Sequence, residues 1–169
     1  DIYSKAFAGC EALSEIVIPE GITMEEEVFS NCTGLLKATI GSVGTDTFKG
    51  CTSLKEVTVS ALQDNMFENL TALETVTIAE GVKKFADNMF TNCTGLKEVN
   101  VPASIRDLGT GNDQIKPLLK GDGVNNLFPI IEGDGTYSSD KKVLLSVNTT
   151  DIEFTVPDGV TIIGSNCFE

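Results

Sequence analysis

The sequence predicts a solenoid, a single domain of short parallel strands stacked coil on coil, each strand returned by a single helical or 3₁₀ turn. Two observations carry this. Phe stands at 7, 29, 48, 67 and 90, spaced by 22, 19, 19 and 23 residues, and once more at 168. Behind each of the first five runs one pattern in phase: Cys10, Cys32, Cys51, Leu70 or Cys93, then Leu13, Leu35, Leu54, Leu73 or Leu96, then an apolar pair such as Val57 and Val59.

Each unit ends as Leu-x-x-Val-x-Ile or a close variant. Alternation over its last positions gives a short strand with one apolar face. A lone strand cannot bury that face, but stacked copies can. Returns of this length stack strands in parallel, because a hairpin needs only a few residues. Val57, Val76 and Val99 are expected to form one buried column, and Phe48, Phe67 and Phe90 another on the opposite side of the core.

The return has its own punctuation. Ser4, Glu26, Thr45, Asp64, Asp87 and Ser165 precede the Phe by three residues. All but Glu26 are types whose side chain caps a helix start. Gly9, Asn31, Gly50, Asn69 and Asn92 follow the Phe, and Gly and Asn tolerate the left-handed backbone of a helix end. The interval between them holds only one helical or 3₁₀ turn.

Along the chain, residues 1–18, 19–40, 41–59, 60–78 and 79–101 supply five regular units, with Val82 and Phe85 adding apolar contacts in the last. Glu25-Glu26-Glu27 reads as a solvated loop. The regular pattern ends at 102. Residues 103–136 are Gly-rich and divergent; Ile105 and Leu108 start a return path that no Phe-x-x-Cys completes. Leu127-Phe128-Pro129-Ile130-Ile131 is a candidate strand of the same stack. Gly-Asp-Gly at 121–123 and 133–135 lacks the carboxylates of calcium loops and reads as turns. Residues 137–156 suggest a β-hairpin insertion, Val143–Val147 against Ile152–Val156. Residues 157–169 start a further, truncated repeat. The chain opens with Asp1 and closes in mid-unit, which suggests a mature or excised part of a longer protein.

The formal charge of −13 argues against nucleic-acid or anionic-membrane partners, which need clustered Lys and Arg. No apolar run reaches membrane-spanning length. Five cysteines and no histidine leave no Ser-His or Cys-His nucleophile pair, and no zinc or phosphate-binding spacing occurs. No catalytic, metal or cofactor residue is assigned, and an enzyme is not expected. Cys10, Cys32, Cys51 and Cys93 share one repeat position with Leu70. The exchange with Leu favours a compact apolar group there and buried free thiols over disulfides. The sequons at Asn31, Asn69 and Asn92 fall on the left-handed position of the repeat, which favours a structural role for them over glycosylation; a fourth stands at Asn148.

Ala6-Phe7-Ala8-Gly9-Cys10-Glu11-Ala12-Leu13-Ser14-Glu15-Ile16-Val17-Ile18-Pro19 and Val156-Pro157-Asp158-Gly159-Val160-Thr161-Ile162-Ile163-Gly164 resemble the BspA-type leucine-rich repeats, whose unit reads Ala-Phe-x-x-Cys-x-x-Leu-x-x-Ile-x-Ile-Pro-x-x-Val-x-x-Ile-Gly. The resemblance covers residues 1–102 and 137–169. It implies a leucine-rich repeat solenoid and, in line with that family, a non-enzymatic protein of the bacterial surface or secreted fraction that adheres to host proteins or other cells.

The expected partner is an extracellular protein or glycan. The candidate contact residues come from the outward positions of the strands: Lys37, Thr39, Lys55, Thr58, Thr77 and Lys97. The Thr residues form one column of short, stiff side chains, and the lysines supply local positive charge. The alternatives are a merely solvated face of strand-forming Thr and mixed charges, and a structural spacer that presents neighbouring domains.

Overall fold

The computed structural model describes residues 1–127, 130–132, 135–137, 143–147, 155–163 and 167. The repeat ends become strands where the alternation lies: β1 (Glu15–Ile18), β2 (Lys37–Ile40), β3 (Glu56–Val59), β4 (Thr75–Ile78) and β5 (Glu98–Asn100). They pair in parallel, in sequence order and without slippage, so that Ile16, Ala38, Val57, Val76 and Val99 lie side by side. Both predicted columns are present. Val57, Val76 and Val99 are at most 2% exposed, and Phe48, Phe67 and Phe90 at most 1%. The rings form a continuous stack from Phe7 to Phe90, and Phe85 packs on Phe90 with ring centroids 6.0 Å apart.

The return is tighter than one continuous helical turn. Successive i→i+3 backbone bonds of 3₁₀ type link Cys51 to Phe48 and Leu54 to Cys51, with equivalents in the other coils. The expected left-handed residues are all there: Gly9, Asn31, Gly50, Asn69 and Asn92 have φ between 58° and 77°. A second left-handed residue precedes each Phe by two: Lys5, Glu27, Asp46, Asn65 and Asn88, at φ between 53° and 60°. Left-handed residues on both sides of the Phe stop any helix from propagating. The three sequon asparagines therefore have a backbone role, and Asn92 Nδ2 also donates to Asn69 Oδ1 at 2.8 Å. The sequon at Asn148 lies outside the described residues.

Three of the side chains expected to cap the return, Ser4, Asp64 and Asp87, bond to neighbouring coils instead. Asp64 Oδ1 accepts the Asp87 N–H and Asp87 Oδ1 accepts the Thr110 N–H, at 2.8 and 2.7 Å, while Ser4 bonds to Glu25. For Asp64 and Asp87 the next coil supplies the open N–H, whereas Ser4 donates its own N–H and hydroxyl to the Glu25 carboxylate. Ser165 lies outside the described residues.

The divergent segment begins with a sixth coil. Ile105 is buried, Asp107 bridges to Lys84, and β6 (Leu119–Lys120) adds to β5 in parallel after a 3₁₀ helix at Asp113–Leu118. Gly121, at φ 95°, forms part of the turn that follows, as the first Gly-Asp-Gly predicts; the second lies partly outside the described residues. The strand expected to join the stack near 127–131 does not join it. Val124–Leu127 is a short helix, α1, and β7 (Ile130–Glu132) pairs antiparallel with β8 (Gly135–Tyr137). These belong to a second sheet of four strands in the order β10-β9-β8-β7, with β9 at Val143–Val147 and β10 at Ile162–Ile163. A short apolar run specifies a strand but not its neighbour, and the turn at 121–123 and α1 stand between β6, the last strand of the stack, and β7. The other arm of the expected hairpin, opposite β9, lies largely outside the described residues.

Candidate partner-binding face

Period-two alternation sends every other strand residue away from the core. In β2 to β4 this places Thr39, Thr58 and Thr77 directly beside one another, the first pairing through β2–β3 and the second through β3–β4. The column continues to Val17 on one side and Asn100 on the other. All three threonines are half-buried. The Thr77 hydroxyl accepts a long bond of 3.5 Å from Asn100 Nδ2, while those of Thr39 and Thr58 have no partner among the described residues. A shallow trough of about 180 Å³ runs along the column, bounded by Val17, Thr39 and Thr58 and by Pro19, Gly41 and Ala79. Val17 in β1 is 62% exposed, and Leu36, just before β2, is 45% exposed.

The lysines are less alike than the sequence suggests. Lys37 pairs with Glu56 of the next coil at 3.3 Å, and Lys97 with Glu74 of the preceding coil at 2.6 Å. The hydrogen bond from Lys97 is the chief reason that the Glu74 carboxyl lies below its ordinary range, with Lys55 adding to the effect. Lys55 is exposed and forms no ion pair among the described residues. The outward strand positions are therefore balanced in charge, with Glu15, Glu56, Glu74 and Glu98 against Lys37, Lys55, Lys97 and Lys120, on a chain of formal charge −13. The neutralising partners lie one coil away, which sequence spacing alone does not reveal.

The thiols are held as thiols. Cys32, Cys51 and Cys167 are buried, and all five cysteines are free. Burial pushes the Cys51 thiol up to about 12 and Cys93 up to about 11, and raises Cys32 as well. None of these three is a nucleophile near neutral pH. Cys10 departs from the expectation: it is exposed. The repeat cysteine is also more than an apolar filler. Cys32, Cys51 and Cys93 donate to the carbonyls of Phe7, Phe29 and Phe67 in the preceding coil, at 2.9 to 3.1 Å. Among the described residues no cluster of three His, Cys, Asp or Glu is placed to hold a metal ion, and no helix is long and apolar enough to cross a membrane.

In-register parallel strands with a buried leucine column and short returns define a leucine-rich repeat protein. More particularly, residues 35–112 are a BspA type leucine rich repeat region, matched in six copies by the model of that family. Among solved structures, the chain is similar to a leucine-rich repeat protein from Bacteroides ovatus at 22% identity and a TM-score of 0.53, over 74% of this chain and 39% of that one. That likeness is one of fold. A leucine rich cell surface protein from Faecalibacterium prausnitzii aligns at 21% identity and a TM-score of 0.49, over 94% and 52% of the two chains. A T. pallidum leucine rich repeat protein aligns at 19% and 0.47, over 59% and 53%. The chain thus spans about half the length of these proteins, or less. No curated protein matches it.

Proposed function

We propose that this chain is a non-enzymatic repeat scaffold of the cell surface or secreted fraction, and that its strand face binds an extracellular protein or glycan. One observation carries the reading. The Thr39–Thr58–Thr77 column is unbroken across three strands, beside a charge-balanced band and an open trough, on a chain that is otherwise strongly acidic. Solenoids bind through surfaces of this kind, extended over several repeats. Half-buried threonines leave hydroxyls for hydrogen bonding, and local charge balance removes the repulsion an acidic partner would otherwise meet.

The test is binding of this chain, and of the longest form of the protein that contains it, to a glycan array and to a panel of immobilised extracellular proteins. Saturable binding by this chain alone supports the reading. Binding by the longer form and none by this chain makes the repeats a spacer for neighbouring domains.

A further inference from the structure

The six coils do not lean on one another equally. On the return side, backbone N–H groups of one coil donate to carbonyls of the next. Coil 1 bonds to coil 2 through Lys5, Phe7 and Gly9, coil 2 to coil 3 through Glu27, Phe29 and Asn31, and coil 4 to coil 5 through Asn65, Phe67 and Asn69. The matching donors of coil 3 are Asp46, Phe48 and Gly50, and none of them bonds to coil 4. Two further kinds of contact stop at the same step. The thiol-to-carbonyl bond is missing because Leu70 stands where Cys32, Cys51 and Cys93 donate. Ion pairs join coils 1–2, 2–3, 4–5 and 5–6 through Lys5–Glu27, Lys37–Glu56, Glu74–Lys97 and Lys84–Asp107, but none among the described residues joins coils 3 and 4.

A groove of about 150 Å³ occupies the gap, lined by Asp46 and Lys49 on one wall and by Asp64, Asn65 and Glu68 on the other. The core side of the step is closed. Phe48 and Phe67 are 6.3 Å apart, against 6.2 Å for Phe29 and Phe48, where the return ladder is complete. The strand side is closed as well, with β3 and β4 paired over their full length. Leu70 is 2% exposed and bulkier than the cysteine it replaces. It stands where a thiol would donate to the preceding coil, and across the groove the coils are joined by the side-chain bond from Gln63 Nε2 to the Val43 carbonyl, at 3.3 Å.

We propose that Leu70 makes the step between coils 3 and 4 a hinge built into the solenoid. The Phe stack and the β3–β4 ladder are its closed side and the groove is its open side. Bending there changes the curvature of the strand face between Thr58 and Thr77. The inference rests on the hydrogen-bond pattern and holds whether or not that face binds a partner.

Two measurements test it on the whole chain, each in the native protein and in Leu70→Cys, under reducing conditions. In native hydrogen exchange, the amides of Asp46, Phe48 and Gly50 should exchange at least about tenfold faster than those of Glu27, Phe29 and Asn31 or of Asn65, Phe67 and Asn69. Leu70→Cys should remove most of that difference. For the motion itself, spin labels at Lys49→Cys and Glu68→Cys, with Cys10→Ser, report the width of the groove. The distance distribution should be broad in the native background and narrow with Leu70→Cys. Equal exchange across the three sets of amides, or a distribution equally narrow in both backgrounds, would overturn the hinge. The exchange comparison within the native chain stands even if Leu70→Cys does not fold.

Discussion

The Sγ of Cys51 donates a hydrogen bond to the carbonyl oxygen of Phe29 in the preceding coil, at 3.1 Å. That carbonyl already accepts the backbone N–H of Cys32. The thiol is therefore a second donor, and it ties the cysteine of one coil to the aromatic position of the coil below. Cys51→Ala should cost about 1–2 kcal/mol, from the small cavity and the lost bond. Cys51→Leu, which copies Leu70, should also raise the exchange rates of Glu27, Phe29 and Asn31. Chemical denaturation of both variants and amide exchange of the second check this; a Cys51→Leu chain with its coil 2–3 amides still protected would show that bulk at this position opens nothing.

The thiols also set a pH dependence. Burial moves Cys51 from the ordinary 9.0 to about 12 and Cys93 to about 11. The fold keeps the neutral thiol, so the unfolded chain ionises first as pH rises. The stability these groups contribute is whole below pH 9.0 and is lost progressively as pH climbs through 11 and 12. At about pH 8 a thiol reagent should modify Cys10 quickly and Cys51 only after unfolding. Modification of Cys51 at the Cys10 rate in the folded chain would contradict the assignment.

Gly50 meets two constraints at once. Its φ is +77°, and a Cβ added there would come within 2.3 Å of Asn31 Oδ1. Gly50→Ala should destabilise the chain by about 1–2 kcal/mol, from left-handed strain plus displacement of that side chain. A melting temperature equal to that of the native chain would mean that the return relaxes freely at this point.

How much of this could be read beforehand depended on what each residue type encodes. The Phe, Leu and Val columns were legible because burial imposes a strict period, and a slip of one strand residue would expose Val57 and Val76. Gly and Asn announced the left-handed position after the Phe. Lys5 and Glu27 carry no such signature for the one before it, and only Asp46, Asn65 and Asn88 do. The sixth coil was missed for want of its Phe-x-x-Cys, although Ile105 already marked its core. The apolar run at 130–131 named a strand without naming its sheet. At the candidate face, alternation was enough to bring Thr39, Thr58 and Thr77 together. The quenching of Lys37 by Glu56 and of Lys97 by Glu74 depends on which coils are neighbours and how their side chains reach, and no single repeat contains that information.

The Glu74–Lys97 pair gives a check in the acid range. Lys97 holds the Glu74 carboxyl below its ordinary value, so what the pair contributes is present near neutral pH and is lost as pH falls through that lowered value. Both groups are exposed, and Lys97→Met should change the midpoint of denaturation only slightly. It should, however, return the titration of Glu74, followed by carboxyl NMR shifts, to the ordinary carboxylate range. An unmoved titration would mean that Lys97 is not what holds Glu74.

The most direct test of the central claim is the affinity for whichever array ligand this chain binds, measured for the double variant Lys55→Glu with Thr58→Glu against Lys49→Glu on the return side. The strand-face account predicts at least about tenfold weaker binding for the double variant, compared at a temperature where its melting curve shows it folded; Lys55 is exposed, and its change alone should alter stability by under about 0.5 kcal/mol. Lys49→Glu should bind as the native chain does. Binding indifferent to Lys55 and Thr58 but abolished by changes within residues 103–136 would contradict the account and make the strand face a scaffold for recognition carried elsewhere.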